Sequence, residues 1–251
     1  MRVLVCRPLA AAKDLADKLL SKGISVSCLP TIHINFLKPL VCVDEFTSVI
    51  FTSKYAVEGL FAYNSPGLLK NKKIYSVGSS TAKLLEKYGI YSKYPEKYNS
   101  EALFDLIQST NIYDQKFLIV SGQLGNDFLL TNLSQVSSCK KLEVYRRSFE
   151  NENNLVQQYL NFFKHADPDL IVTTSLDVFK ALNRVFKKIQ LPKHATVTIT
   201  STKMLEFVKG QGFEDILRLE QLNNDYICQR ILELTEASDV ATKKHSTRNN
   251  K

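Results

Sequence analysis

Short apolar runs alternate along this chain with longer stretches whose apolar residues recur at helical spacing. The first run, RVLVC at Arg2–Cys6, reads as a buried strand. Pro8 then opens a helix with Leu15, Leu19 and Leu20 on its apolar side and Gly23 as its stop. Ser25–Leu29 is a second strand, ended by Pro30. The same alternation predicts strands near 48–52, 73–77, 91–94, 116–121, 169–174, 195–200 and 213–217. It predicts helices near 54–62, 79–88, 100–108, 124–133, 152–165, 176–187, 202–210 and from about Asp225 to Leu234. Strands alternating with helices of this length imply parallel sheets with crossover helices on both faces, an α/β fold.

Within that alternation one pattern occurs twice. Residues 48–89 read SVIFTSKYAVEGLF…KKIYSVGSSTAKLLEKYG, and residues 170–212 read LIVTTSLDVFKALNRVF…ATVTITSTKMLEFVKGQG. In each copy an apolar run ends in Thr-Ser, at Thr52-Ser53 and Thr174-Ser175, and a second ends in Ser-Thr, at Ser80-Thr81 and Ser201-Thr202. Ser53 and Thr81 are 28 residues apart, Ser175 and Thr202 27. A repeat that occurs only twice points to a duplicated domain, because solenoids need at least three units. We therefore expect two similar parallel-sheet domains, flavodoxin-like or Rossmann-like. The extended segments 32–36 and 142–149 lack a helix of the repeat and are expected to run side by side as a two-stranded linker. That makes one domain discontinuous (1–31 plus 150–237) around an inserted one (37–141), with a disordered basic tail at 238–251.

Composition narrows the function. The net charge is +8, of which Lys243, Lys244, Arg248 and Lys251 against Asp239 put +3 in the tail. The remaining body is mildly basic, which suits an anionic ligand without requiring nucleic acid, and the tail lacks the interleaved aromatics of a nucleic-acid contact. Cys6, Cys28, Cys42, Cys139 and Cys228 are scattered and form no C-x-x-C pair, so they read as reduced core thiols. No apolar run approaches membrane-spanning length and the start is not a signal peptide, so a cytoplasmic protein is expected.

The chain has no GxGxxG, Walker, HExxH or GxSxG motif, and His33, His165, His194 and His245 are dispersed. No cofactor or metal is expected. The positive signal is hydroxyls at strand-to-helix turns: Thr52, Ser53, Ser79, Ser80, Thr81, Thr174, Ser175, Ser201 and Thr202. In an α/β sheet these fall at the carboxyl ends of strands, where ligands bind and helix N-termini attract carboxylates. The bland alternative is that each only caps its helix. Ser121-Gly122 begins another turn of this kind. Tyr145, in the extended segment, is expected to share a strand face with Arg147 while Arg146 points the other way. Its phenol can serve as a polar donor to a ligand.

These segments together resemble the uroporphyrinogen-III synthase family over essentially the whole length up to the tail. The stretches that carry the resemblance are VLVCRP, LPTIHI, IFTSKYAV, YSVGSSTAKLLEKYG, YPEKYNSEALFDLI, FLIVSGQLGNDFLL, LEVYRRSF, IVTTSLDVF, ITSTKMLEFVKGQGF and NNDYICQRIL. TSTKM followed by NNDxxxxxIL is similar to the proteobacterial branch. The resemblance implies an active site in a cleft between the two domains. It also implies a cofactor-free dehydrative cyclisation of hydroxymethylbilane, with inversion of ring D, to uroporphyrinogen III. By position Tyr145 matches the tyrosine that assists departure of the ring A hydroxyl, and Thr81 matches the cleft threonine. Ser53, Ser121-Gly122 and Ser201-Thr202 match substrate-contacting turns. Cys6 and Ser121 depart from the threonine and arginine of many members, and the second-domain turn lacks their Gly-x-Thr-Thr form. A monomer, touching the upstream hydroxymethylbilane synthase at most transiently, is expected. The competing expectation is a non-catalytic, hinged two-domain protein that binds a small polyanion.

Overall fold

The computed structural model describes residues 1–40, 42–110 and 112–248, with side chains described as far as residue 237. In chain order it contains β1 (Arg2–Val5), α1 (Leu9–Leu20), β2 (Ser25–Cys28), β3 (Ile32–Phe36), β4 (Ser48–Phe51) and α2 (Lys54–Phe61). Next come β5 (Lys73–Ser76), α3 (Ser79–Glu86), α4 (Ser100–Gln108), β6 (Lys116–Gly122), α5 (Phe128–Leu133) and β7 (Ser138–Phe149). The chain continues through α6 (Glu152–Phe162), β8 (Leu170–Val172), α7 (Leu176–Phe186), β9 (Thr196–Ile199), α8 (Thr202–Gly210), β10 (Ile216–Arg218) and α9 (Asn224–Arg248). It divides into two compact units, Met1–His33 with Phe149–Lys251, and Ile34–Ser148.

Each unit is built on one sheet. In the first, the strand order is β2-β1-β8-β9-β10, all parallel. Counted by appearance within the unit this is 2-1-3-4-5, the flavodoxin-like winding. In the second the order is β5-β4-β6-β7-β3, and β4–β5, β4–β6 and β6–β7 are parallel. It repeats the 2-1-3-4 winding and closes with β3. Leu37 N–H donates to the Val144 carbonyl and Glu150 N–H to that of Thr31, so β3 and β7 run antiparallel.

Period-two alternation explains why helices cover both faces. Leu4, Ile171 and Val197 join one buried layer of the first unit, and Val3, Val5 and Val172 the other. In the second unit Val49, Phe51 and Val120 pack with Val57 and Leu60 of α2. Ile50, Phe117 and Ile119 pack with Leu103 and Ile107 of α4. Gly23 and Gly89, both at positive φ, stop α1 and α3.

The structure departs from sequence expectation in several places. The strand expected near 91–94 is a single bridge from Tyr75 to Lys93, because Tyr91, Lys93 and Tyr94 are exposed and offer no face to bury. The helix expected from Leu124 begins at Phe128, after a loop in which Leu124 takes φ 56°. β7 starts at Ser138, so the expected linker strand is the second half of a strand that first pairs with β6. α9 continues to Arg248, through residues for which composition predicts no order, each added residue gaining one backbone bond. Residues 249–251 lie outside the described residues.

The sequence repeat also maps differently from its simplest reading. Its first copy is β4-α2-β5-α3, at winding positions 1 and 2; its second is β8-α7-β9-α8, at positions 3 and 4. What repeats in sequence is therefore a strand–helix–strand–helix module. Thr52-Ser53 stands in its unit where Cys6-Arg7 stands in the other.

Candidate active site

A doubly wound sheet opens a crevice where neighbouring strands send their crossovers to opposite faces. In the second unit that point lies beyond the carboxyl ends of β4 and β6, and Thr52-Ser53 and Ser121-Gly122 occupy it. Thr52 closes the end of the ladder, donating its N–H (3.2 Å) and its hydroxyl (3.3 Å) to the Val120 carbonyl. Ser53 is the N-cap of α2 and accepts the Ala56 N–H at 3.2 Å.

Tyr145 reaches the same place from β7. Its hydroxyl lies 3.1 Å from Ser53 Oγ, although β6 runs between β7 and β4. The ring crosses β6 over Gly122, where an added Cβ would sit 2.5 Å from the Tyr145 Cζ. Only glycine leaves room for that crossing. The ring of Tyr55 meets Tyr145 edge-on at 5.8 Å, and Tyr145 is 5% exposed. The phenol is thus fixed by a glycine below, an aromatic edge beside it and a serine at its tip. Ser53 spends one lone pair on Ala56 and keeps a proton, so it can donate to the phenol while the phenol donates onward.

A bulge produces this aim. Ser121 pairs with Glu143 but Gly122 pairs with Tyr145, leaving Val144 as the extra residue of β7. An inserted residue shifts every following side chain by one face. Val144 and Tyr145 are both buried, and Arg146 and Arg147 both exposed, where simple alternation expects Tyr145 with Arg147 and Arg146 opposite. The Val144 carbonyl also lies where a Cβ on Gly59 would approach to 2.6 Å, seating α2 against β7.

The other hydroxyl turn of this unit is not the twin that its sequence suggests. Gly78, not a serine, caps α3, with no side-chain bond, and Ser79, Ser80 and Thr81 form the first helical turn. Thr81 is buried and Ser80 exposed. Tyr98 covers the cap, its Cβ 3.0 Å from where a Cβ on Gly78 would be.

In the first unit the two serines cap helices as Ser53 does. Ser175 caps α7 through the Val178 N–H, and Ser201 caps α8 through the Met204 N–H, each at 3.3 Å. Thr174 precedes the first cap and Thr202 follows the second. Behind them, Thr198 Oγ1 accepts the Thr173 N–H (2.8 Å) and donates to the Thr173 carbonyl (2.6 Å). Thr173 Oγ1 donates to the Thr198 carbonyl (3.0 Å). Both threonines are buried, and their side chains extend the β8–β9 ladder past its last backbone pair. At the end of β1, Arg7 is buried and holds the Asn224 side chain and the Leu222 carbonyl. Burial, with Cys28 nearby, pushes the Cys6 thiol far above its ordinary range, and burial alone pushes Cys139 up to about 12. Neither is a nucleophile at neutral pH.

The structure brings Thr52, Ser53, Ser121, Gly122 and Tyr145 to one edge, with Ser79, Ser80 and Thr81 at the neighbouring β5 turn. Thr174, Ser175, Ser201 and Thr202 lie on the carboxyl edge of the other sheet. Sequence reasoning missed Gly78, Tyr55, Tyr98, Arg7 and the Thr173–Thr198 pair. Only the glycine before the Ser-Ser-Thr run carried a usable signal, as a residue tolerated at N-caps. His33 pairs with Glu150, and His165 and His194 are exposed. Among the described residues no His, Cys, Asp or Glu cluster is placed to hold a metal, and no helix is long and apolar enough to cross a membrane.

Known proteins match this architecture. A family model described as "Uroporphyrinogen-III synthase HemD" matches residues 13–225. The chain is 27% identical over 249 residues to a "Porphyrin biosynthesis protein HemD" of Ruminiclostridium josui, covering 93% of this chain and 48% of that protein. It is 29% identical over 153 residues to a "Uroporphyrinogen-III synthase" of Chlorobaculum parvum, covering 57% of this chain and 62% of the other. The chain thus spans about half to three-fifths of the length of these relatives. The solved uroporphyrinogen-III synthetase of Helicobacter pylori 26695 superposes with a TM-score of 0.61 at 18% identity, covering 93% of this chain and 100% of that one. That likeness speaks to the fold, while the family model, reaching from α1 into α9, speaks to descent: this chain belongs to the uroporphyrinogen-III synthase family.

Proposed function

We propose that the chain is a lyase that closes hydroxymethylbilane to uroporphyrinogen III by dehydration with inversion of ring D, without a cofactor. The observation that carries this reading is the family match across residues 13–225. The two units act as domains joined through β3 and β7, and the carboxyl edges of both sheets bind the substrate. Its carboxylates are gripped by the free N–H groups at the starts of α2, α3, α7 and α8, where the helix dipole favours negative charge.

Hydroxide is a poor leaving group, so a donor at ring A helps to form the electrophilic azafulvene. Tyr145 is that donor, held by Ser53, which itself accepts the Ala56 N–H at the start of α2. General acid catalysis of this kind contributes roughly 10²–10⁴-fold. Orientation contributes more. Unaided closure gives the unrearranged isomer, so the protein must hold the substituted carbon of ring D beside the electrophile, an effect worth about 7–11 kcal/mol in favourable cases. Backbone amides therefore supply most of the catalysis and no single side chain is essential. A monomer in the cytoplasm, meeting the upstream hydroxymethylbilane synthase only transiently, completes the proposal. The scattering of exposed large apolar residues over α1, α6 and several loops favours a monomer.

The test is to feed the purified chain freshly generated hydroxymethylbilane and separate the oxidised products by isomer. Isomer III should predominate. Isomer I alone, from folded protein, would leave a protein that binds without catalysing.

A further inference from the structure

Leu124 sits where a leucine has no structural reason to be. It is 100% exposed and takes φ 56°, in the left-handed region that crowds any Cβ. Glycine or asparagine is the ordinary choice there, and the same loop holds Gly125 and Asn126 one and two positions further on. The loop is anchored on both sides. Gln123 N–H donates to the Tyr145 carbonyl at 2.8 Å, and Gly125 N–H closes a turn onto the Gly122 carbonyl at 3.3 Å. Leu124 is therefore held out from the rim that carries Tyr145, two residues beyond the glycine under its ring. Strain of this sort persists where it serves a site.

Elsewhere on the rim Thr52, Ser53 and the start of α2 can hold carboxylates, and the Tyr55 and Tyr145 rings lie against each other, Tyr145 buried. Leu124 adds a fully exposed apolar side chain beside them. We propose that Leu124 is a substrate-binding and specificity-determining residue whose side chain packs on a pyrrole face of the linear tetrapyrrole beside Tyr145. This rests on the synthase reading above. The contact would restrain ring order at the moment of closure, so its loss should appear in the isomer ratio as well as in the rate.

Full exposure and positive φ make glycine at 124 compatible with the fold. Leu124→Gly removes the side chain and relieves the backbone strain together, so its thermal midpoint should equal or exceed that of the unaltered chain. With hydroxymethylbilane as substrate, its kcat/KM should fall about tenfold, the scale of one lost apolar contact, and the share of isomer I should rise. Leu124→Met, which keeps apolar bulk, should stay within about twofold of the unaltered chain. A Leu124→Gly protein with unchanged kcat/KM and isomer ratio overturns the contact while leaving the synthase reading intact. An unaltered chain that yields only isomer I overturns that reading, and the contact with it.

Discussion

The two sheets share a winding but use the same residue types in opposite ways. In the first unit Ser175 and Ser201 cap helices, and Thr173 and Thr198 lace β8 to β9. In the second, Ser53 caps its helix and still meets the Tyr145 phenol, while Gly78 takes over capping at α3 and leaves Ser79, Ser80 and Thr81 in its first turn. The difference traces to backbone more than to composition. A bulge at Val144 and a glycine at 122 let one side chain cross a strand, and the first unit has no described counterpart of that crossing. Ser53 differs from Ser175 and Ser201 in what it faces, a phenol carried across β6.

The largest expected effect breaks that crossing. Gly122→Val should displace the Tyr145 ring, lowering kcat/KM by roughly 10²-fold, the lower end of what a lost general acid costs. Overpacking should also remove about 1–3 kcal/mol of stability. Adding Gly122→Ala to Tyr145→Ala, which empties the space above the glycine, should cost no further activity. Additive losses in that cycle would separate the glycine from the tyrosine. The matching change in the first unit is Thr198→Val, which keeps shape but strands the buried Thr173 N–H and carbonyl. It should cost about 1–3 kcal/mol by denaturant unfolding with little change in kcat.

Smaller, and sharper as a comparison, is the pair Ser53→Ala and Ser175→Ala. Both remove an N-cap hydroxyl from an extended cap residue, so both should lose about 1 kcal/mol of stability. Only Ser53→Ala also strips the phenol of its partner. A neutral hydrogen bond contributes about 0.5–1.5 kcal/mol net, so its kcat should fall about two- to tenfold while that of Ser175→Ala stays put. Equal kinetics for the two would mean that the Ser53–Tyr145 bond has no part in the chemistry.

The fold was legible because it is written in local pattern. The apolar runs at 48–52 and 169–174, the glycine stops and the serines at 53, 175 and 201 each specify their element without help from afar. Tyr145 stands out in its extended segment, and the family resemblance supplies its role. What stayed hidden depends on contacts across strands. No period reveals that β7 carries an extra residue at Val144, since the extra residue is defined only against β6. Gly122 looks like a phosphate-loop glycine until a ring lies over it. Thr198 looks like an ordinary strand residue until Thr173 faces it, and Leu124 looks like the first apolar position of a helix that begins at Phe128.

The smallest expected effect concerns acid, and it sets the units against each other. In the first unit, Asp169 is raised by burial, but this is outweighed by the Arg2 backbone N–H and guanidinium, which together hold its carboxyl below the ordinary range. Glu150 is held low chiefly by His33, then by the Asn151 N–H. Carboxyls with depressed values add stability above their unfolded pKa and lose it as pH falls through the folded one. In the second unit Glu58 is shifted the other way: burial raises it, and Lys54 only partly offsets this. A raised carboxyl weakens the fold while ionised, so that unit gains as pH falls through the raised value. Acidification from neutral pH to below the ordinary carboxylate range should therefore loosen β1 and β8 while tightening α2. Amide hydrogen exchange followed strand by strand reads this directly. Asp169→Asn should flatten the acid loss in the first unit and Glu58→Gln the gain in the second. Parallel loss of protection in both sheets would show that their stabilities respond to acid as one, and the contrast drawn from their edges would not extend to their charges.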